Sequence, residues 1–264
     1  MDKNSFKMKM KPKISVNIIA RNEEKKIADC LISARLLADE IVLLDMESTD
    51  KTVKIGQKYA DKIYSHPQVG YVEPARKFGI KKCRGDWIFI LDADERITPK
   101  LALEIKEKIE NVGSNVGAFA IPRKNFNFGV WLRHGGWWPD YQVRLIRKNS
   151  FIDWPKAIHS FPTIRGKTEK LKNPFNHLAI NSIEEMVERT IRYSQKEANL
   201  LAQTGKKVNV ITFLRKMAGE FYRRGIKKRG FLDGPVGVIQ VIYQTFSVFI
   251  TYARVWEYQQ KEKK

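Results

Sequence analysis

Cysteine and acidic residues are scarce in this chain of 264 residues, and both shortages restrict what it can be. Its two cysteines, Cys30 and Cys83, are too few for a disulfide scaffold and lack the spacing of a metal site. Residues 1–13 contain no apolar core and no cleavage site, so we expect no signal peptide. A protein of the reducing cytoplasm is the simplest interpretation.

The shortage of acidic residues leaves 49 Lys+Arg against 29 Asp+Glu, a net charge of +20. This excess predicts an anionic partner: a nucleotide, nucleic acid, phospholipid or phosphorylated glycan. Most of the excess lies in residues 111–264, which carry 27 basic and 11 acidic side chains, whereas residues 1–110 are nearly neutral. A hydrophobic content of 43% with 11% aromatic residues excludes wholesale disorder and allows a substantial core.

Strand and helix patterns alternate through the first 123 residues, and helical patterns dominate from Ser182 onward. Strands separated by helices of about ten residues predict a mainly parallel sheet with helices on both faces, hence an α/β fold followed by a helical extension. The predicted strands are 14–19, 40–45, 62–65, 86–91, 117–122 and 141–146, and the predicted helices are 27–37, 52–59, 74–82, 101–109, 183–202, 208–222 and 236–258.

Polar side chains stand directly after three of these strands, where ligands of a parallel sheet bind. Carboxylates at positions i and i+2 can reach one hard cation, and Mg²⁺ or Mn²⁺ takes such oxygen ligands together with substrate phosphates. A single D-x-D is equally compatible with a turn cap beside a solvated carboxylate, but three clusters at three strand ends favour a ligand site. The clusters are Arg21-Asn22-Glu23, Asp45, and Asp92 with Asp94.

Five segments, in a fixed order, carry a family likeness. They are ISVNIIARNEE at 14–24, IVLLDMESTDKT at 41–52, RGDWIFILDADE at 84–95, WWPDYQVRLIRK at 137–148 and GFLDGPVGVIQVIYQTFSVFITYARVWE at 230–257. Together they resemble the family 2 glycosyltransferases, whose fold is GT-A. Within that family the likeness is greatest to the enzymes that add a hexose to the inner core of bacterial lipopolysaccharide, and it spans residues 13–257.

The resemblance implies a nucleotide pocket at the ends of the first two strands. Asp45 would contact the base or the ribose, as would the backbone around Ala20, Arg21 and Asn22. Glu23 would lie beside the same pocket.

The resemblance also implies a diphosphate and metal site. Asp92, Ala93 and Asp94 form the D-x-D motif, whose carboxylates would hold Mn²⁺ or Mg²⁺ bridging the donor diphosphate. Arg76 would add a fixed positive charge there, unless it is only an exposed helix arginine. Arg144 would contact the diphosphate.

On the acceptor side, an inverting transfer needs one base to take the proton of the attacking hydroxyl. Asp140 is our candidate, because it is the only carboxylate between Glu110 and Asp153 and matches the position of the base in the family. Trp137 and Trp138 are predicted to stack on acceptor sugars, or else to form a core pair.

The sequence departs from the family pattern at three places. His159 precedes Ser160 where relatives have His-Glu, so it remains a third metal ligand, a diphosphate contact or a packed polar residue. Met46-Glu47 replaces small or acidic residues beside the base, and Lys77 replaces a frequent asparagine.

The C-terminal part combines strong basic charge with a long uncharged stretch. Residues 205–230 hold nine Lys or Arg and one acid, Glu220, and residues 234–253 carry no charge. Residues 206–258 are therefore predicted to contact an anionic membrane surface. The apolar stretch itself packs on the core, lies at the interface or spans the bilayer, and the basic patch could also hold a phosphorylated acceptor.

The sequence thus predicts an inverting, metal-dependent transferase that moves a hexose, with UDP-glucose the best donor, onto a lipopolysaccharide core or another lipid-linked glycan at the inner face of the bacterial cytoplasmic membrane. The alternatives are a nucleic-acid-binding protein, a nucleotidyltransferase and a catalytically inactive glycan-binding relative, and we expect no nucleic acid partner. The predicted divisions are a basic tail (1–12), a GT-A domain (13–180, with a nucleotide-sugar half 13–123 and an acceptor half 124–180) and a helical extension (181–264).

Overall fold

A computed structural model describes residues 11–68, 72–155, 160–205 and 207–261. The chain forms two compact units. The first contains residues 1–123 and 141–176, and the second contains residues 124–140 and 177–264. The predicted boundary between the GT-A domain and the helical extension, at residue 180, stays a prediction. The compact units group residues 124–140 with the C-terminal helices rather than with the residues that precede them.

Ten of the strands in the described residues form one sheet, in the order β3-β2-β1-β4-β8-β6-β12-β5, with β7 and β11 paired to β6. The pairs β1–β2, β1–β4 and β2–β3 are parallel, and β4–β8 is antiparallel. The strands are β1 Ile14–Ala20, β2 Glu40–Asp45, β3 Lys62–Ser65, β4 Trp87–Asp92, β5 Glu95–Arg96, β6 Val116–Asn127, β7 Val130–Trp131, β8 Asp140–Arg147, β9 Phe151–Asp153, β10 Thr163–Ile164, β11 Lys167–Lys170 and β12 Phe175–Ile180. The predicted α/β sheet is confirmed.

The central strands are buried on both faces, as their continuous apolar runs predict. Every residue of β1 is buried, and so are Trp87 to Leu91 of β4. The strand register aligns their carboxyl ends. Ala20 pairs with Asp45 across β1–β2, and Ile19 pairs with Asp92 across β1–β4. The three predicted strand ends therefore lie side by side.

Seven α-helices are found in the described residues, and several begin at identifiable caps. Thr98 accepts the N–H of Leu101 at the start of α4, Ser182 that of Glu185 at the start of α5, and Asn209 that of Thr212 at the start of α6. The helices are α1 Ile27–Ala34, α2 Thr52–Gly56, α3 Glu73–Lys82, α4 Pro99–Asn111, α5 Ile183–Gln203, α6 Val210–Phe221 and α7 Gly234–Lys261.

In the second unit, α7 packs against α5 and α6. A π-helical turn, Tyr222–Lys227, follows α6. The helical segment Gly230–Lys261 is the one candidate among the described residues that is long and apolar enough to cross a membrane, by length and composition only. The three arrangements predicted for residues 234–253, on the core, at the interface or across the bilayer, stay predictions.

Both cysteines are buried. Burial raises the pKa of the Cys30 thiol well above its ordinary value and raises that of Cys83 to about 12. Neither thiol is therefore a nucleophile at neutral pH.

Candidate active site

The loops after β1 and β2 are joined by hydrogen bonds. The Asn22 side chain accepts the N–H of Thr49 at 2.8 Å, and the N–H of Asn22 donates to Ser48 Oγ at 3.0 Å. The N–H of Glu23 donates to Thr52 Oγ1 at 2.8 Å. Asn22 has a φ of 54°, a left-handed conformation that asparagine tolerates better than most residues. Its side chain therefore holds the neighbouring loop, while Arg21 is exposed.

Asp45, at the end of β2, is only 6% exposed. Its Oδ2 accepts the N–H of Ser48 at 3.1 Å, and its Oδ1 has no hydrogen-bond partner within the described residues. Buried carboxylate oxygens are normally paired. This oxygen therefore keeps an unused capacity to accept a hydrogen bond.

Asp92, at the end of β4, is held by two buried arginines. Nη2 of Arg76 donates to both carboxylate oxygens, at 3.0 and 3.1 Å, and Nη2 of Arg144 donates to Oδ2 at 2.7 Å. Arg76 and Arg144 are 6% and 5% exposed. The guanidinium of Arg76 also lies 4.9 Å from the centre of the Trp154 ring. The alternative of an exposed helix arginine at position 76 is wrong, because α3 directs this side chain to the carboxylate.

Glu95 completes the network, although it was missed at the sequence level. It is fully buried, accepts the N–H of Asp92 at 3.0 Å through Oε2, and accepts Nη2 of Arg144 through Oε1. Arg123 lies 3.7 Å from the same Oε1. Its place as the last residue of the DADE segment was the available signal, but the following turn could equally have exposed it.

This network fixes the charge of its members. Burial alone would raise the pKa of the Asp92 carboxyl, but the charges and hydrogen bonds of Arg144 and Arg76 outweigh it and hold that pKa well below its usual range. Burial would likewise lower the pKa of Arg144, and the two carboxylates Asp92 and Glu95 raise it instead. Asp92 is thus an anion and Arg144 a cation throughout the physiological range.

Asp94 lies in the turn between β4 and β5, half-buried, beside the buried Ala93. Asp94 stands two positions after Asp92 in the D-x-D motif and is a candidate metal ligand together with it. Mg²⁺ and Mn²⁺ are commonly held by one or two carboxylates plus substrate phosphates, so the donor set fits such a cation. Among the described residues no group of three or more His, Cys, Asp or Glu side chains is placed to hold a metal. His159 lies outside the described residues.

The predicted acceptor residues belong to the second unit. Trp137 lies under the guanidinium of Arg224, 5.2 Å from its ring centre, and Trp138 packs edge-to-face on Trp131 at 5.4 Å. Both tryptophans are half-buried, so neither is a core residue. Asp140 Oδ2 accepts a hydrogen bond from Asn125, a residue that the sequence did not point to.

The loop before Trp137 depends on two glycines. Gly135 and Gly136 have φ of 63° and 87°, in the left-handed region that favours glycine. The N–H of Gly135 donates to the carbonyl of Lys228 at 2.8 Å, and a Cβ on Gly136 would lie 2.8 Å from Lys228 Nζ. The positive φ of both residues therefore favours glycine, whereas the flexible Lys228 side chain could move away from an added Cβ.

A mainly parallel sheet whose carboxyl edge gathers acidic side chains and buried arginines has the architecture of a GT-A glycosyltransferase. The family described as Glycosyl transferase family 2 matches residues 15–171, more than half of the chain. The chain belongs to this family.

Relatives cover almost the whole chain. An uncharacterised glycosyltransferase of Rickettsia conorii is 26% identical over 95% of this chain and 92% of its own length. The lipopolysaccharide core biosynthesis glycosyltransferase LpsC of Rhizobium meliloti is 24% identical over 92% of both chains. A mannosyltransferase of Pyrobaculum calidifontis, solved with GDP-Man and Mn²⁺, has the same fold, with a TM-score of 0.52 at 14% identity over 97% of this chain and 89% of its own. Because the chain belongs to this family, a glycosyltransferase is favoured over the nucleic-acid-binding protein and the nucleotidyltransferase that the sequence left open.

Proposed function

We propose that this glycosyltransferase is an inverting enzyme that uses Mn²⁺ or Mg²⁺ and moves a hexose from a nucleotide sugar, UDP-glucose, to a lipopolysaccharide core or another lipid-linked glycan. The observation that carries the proposal is the buried pairing of Asp92 with Arg76 and Arg144 beside Asp94. It builds a fixed electrostatic frame where nucleotide ligands of such sheets bind. The name of LpsC supports the acceptor class, and the Mn²⁺ bound to the Pyrobaculum enzyme supports the metal.

We assign donor binding to groups at and near the ends of β1, β2 and β4. Asp45 Oδ1 accepts a hydrogen bond from the base or ribose, next to the backbone of residues 20–23. Nε and Nη1 of Arg76 and Nε of Arg144 have no hydrogen-bond partner within the described residues, and a diphosphate would supply acceptors for such groups. Asp94 and Asp92 would hold the cation, which when bound would neutralise charge on the departing nucleoside diphosphate.

Transfer requires one proton to move. The acceptor hydroxyl gives its proton to the Asp140 carboxylate while its oxygen bonds to the anomeric carbon of the sugar. The bond from that carbon to the diphosphate breaks, and the nucleoside diphosphate leaves with the electron pair. Attack opposite the leaving group inverts the anomeric centre. Trp137 and Trp138 offer apolar ring surface to the acceptor sugars.

We further propose that the enzyme is cytoplasmic and peripheral on the inner face of the bacterial cytoplasmic membrane. The support is α6, whose Ile211 and Leu214 are 72% and 64% exposed next to an exposed Arg215. Exposed Ile242 and Phe246 of α7 enlarge the apolar surface. A helix with exposed apolar and basic side chains is typical of the interface with anionic lipid.

The test is calorimetric titration of the protein with UDP-glucose, UDP-galactose, UDP-N-acetylglucosamine and GDP-mannose, with and without Mn²⁺. We expect metal-dependent binding of UDP-glucose, and a loss of about a hundredfold or more of that affinity in Asp94→Ala. Asp29→Ala, at an exposed position of α1, is the matched control and should bind normally. Equal affinity with and without Mn²⁺, or unchanged binding in Asp94→Ala, would remove the metal role.

A further inference from the structure

The proposed base, Asp140, belongs to a part-buried hydrogen-bond chain that includes Asn125 and His177. Asn125 is fully buried, and its Nδ2 donates to Asp140 Oδ2 at 3.0 Å and to the carbonyl of Trp137 at 3.2 Å. On the other side of the same amide, Asn125 Oδ1 lies 2.7 Å from Nδ1 of His177.

The two acceptors determine which way the amide faces. A carboxylate oxygen and a backbone carbonyl both need a donor, so the NH₂ group of Asn125 must point to Asp140 and Trp137. The amide oxygen then faces His177, whose Nδ1 must carry a proton. With the amide reversed, Asn125 Oδ1 would face Asp140 Oδ2 and the carbonyl oxygen of Trp137, with no hydrogen between them. The network therefore requires the Nδ1–H form of His177.

Both side chains stand on strands of the sheet rather than on a loop. Asn125 lies in β6 and His177 in the neighbouring β12. Backbone hydrogen bonds hold both strands near these side chains. The carbonyl of Asn125 accepts the N–H of Leu132 at 3.0 Å, and the carbonyl of Ile180 accepts the N–H of Phe128 at 2.7 Å. Such a support can hold a functional group to within a fraction of an ångström.

We propose that Asn125, oriented by His177, is a positioning residue for the Asp140 base. This inference rests on the proposed role of Asp140. A hydrogen bond to Oδ2 restricts rotation of the carboxyl group and so fixes the orientation in which it would take the proton of the acceptor hydroxyl. A neutral amide donor serves this purpose without adding a positive charge, which would weaken the base.

The test compares two substitutions at His177. In asparagine, Nδ2 occupies nearly the place of the imidazole Nδ1 and can donate to Asn125 in the same way, whereas leucine has similar bulk and no donor. With UDP-glucose as donor and a rough lipopolysaccharide as acceptor, His177→Leu and Asn125→Leu should each lower kcat by about ten- to a hundredfold. The KM for UDP-glucose should not change. His177→Asn should retain most of the rate.

Two further readouts separate positioning from folding and from the proposed function. The ¹⁵N NMR spectrum of His177 should show the Nδ1–H tautomer in the wild-type chain and a mixture in Asn125→Leu. UDP affinity and melting temperature identify a variant that has failed to fold.

Equal rates for His177→Leu and His177→Asn, or an Nε2–H tautomer in the wild type, would overturn the positioning role. Full activity in Asp140→Asn would instead overturn the proposed base. The two failures are therefore distinguishable.

Discussion

The basic side chains of the two compact units differ in burial. In the first, Arg76 and Arg144 are buried and each is bound to carboxylates. In the second, Arg215 of α6, Lys227 of the π-helical turn and the following Lys228 are exposed. A buried pair pays a large desolvation cost and fixes one geometry, whereas exposed charges add up over any anionic surface. The first arrangement suits one small ligand, and the second suits an extended partner.

The largest expected effect comes from breaking the buried network. Arg144→Met leaves Glu95 and Asp92 with one guanidinium fewer in a buried site, so we expect a loss of about 3–5 kcal/mol of unfolding free energy. Urea denaturation measures it. Arg35→Met, which removes the exposed pair with Asp61, is the control and should cost less than about 1 kcal/mol. Equal losses in the two variants would mean that burial of the pair is unimportant.

An intermediate effect is expected on the exposed charges. Arg215→Gln combined with Lys227→Gln should weaken binding to vesicles containing phosphatidylglycerol by about 2 kcal/mol, or about thirtyfold, because each basic side chain near anionic lipid contributes about 1 kcal/mol. Sedimentation with vesicles at low and high salt measures the change. Lys58→Gln with Lys100→Gln, two exposed positions of the first unit, should leave binding unchanged. Equal partitioning of both double variants would make the helical charges irrelevant to lipid.

The smallest effect concerns pH. The pKa of Asp92 is lower in the folded chain than the value of about 3.9 of an unfolded aspartate, so its ionised form stabilises the fold above that pH. The contribution is lost as pH falls below it, by about 1 kcal/mol between pH 6 and pH 3. Asp92→Asn should remove this part of the pH dependence of unfolding, and Asp29→Asn should not. An unchanged slope in Asp92→Asn would show that Asp92 is not the responsible group.

The fold and the positions of the strand-end acids were predictable because both follow from local pattern. The apolar runs 40–45 and 62–65 match β2 and β3 without a shift. Other boundaries moved: the helix predicted at 52–59 ends at Gly56, and the strand predicted at 117–122 extends to Asn127. Helix ends and strand lengths depend on tertiary partners that a sequence window does not contain.

The partners of the site residues were not predictable in the same way. Asp92 and Arg144 are 52 positions apart, and Asn125 and His177 are equally distant. Each residue type alone is compatible with a solvated position. Nothing local marks Asn125 as part of a network, and the place of Glu95 in the DADE segment is equally compatible with exposure. Only the pairing of β4 with β8, and of β6 with β12, brings them together.

The two buried thiols have a practical consequence for studying α6. Since Cys30 and Cys83 are inaccessible and their thiolates are disfavoured, maleimide reagents should leave the wild-type chain unlabelled. A single cysteine introduced at an exposed site such as Ile211 would then carry a fluorophore or spin label on an otherwise silent background. Whether α6 enters a lipid bilayer, and how deeply, becomes measurable without first removing a native cysteine.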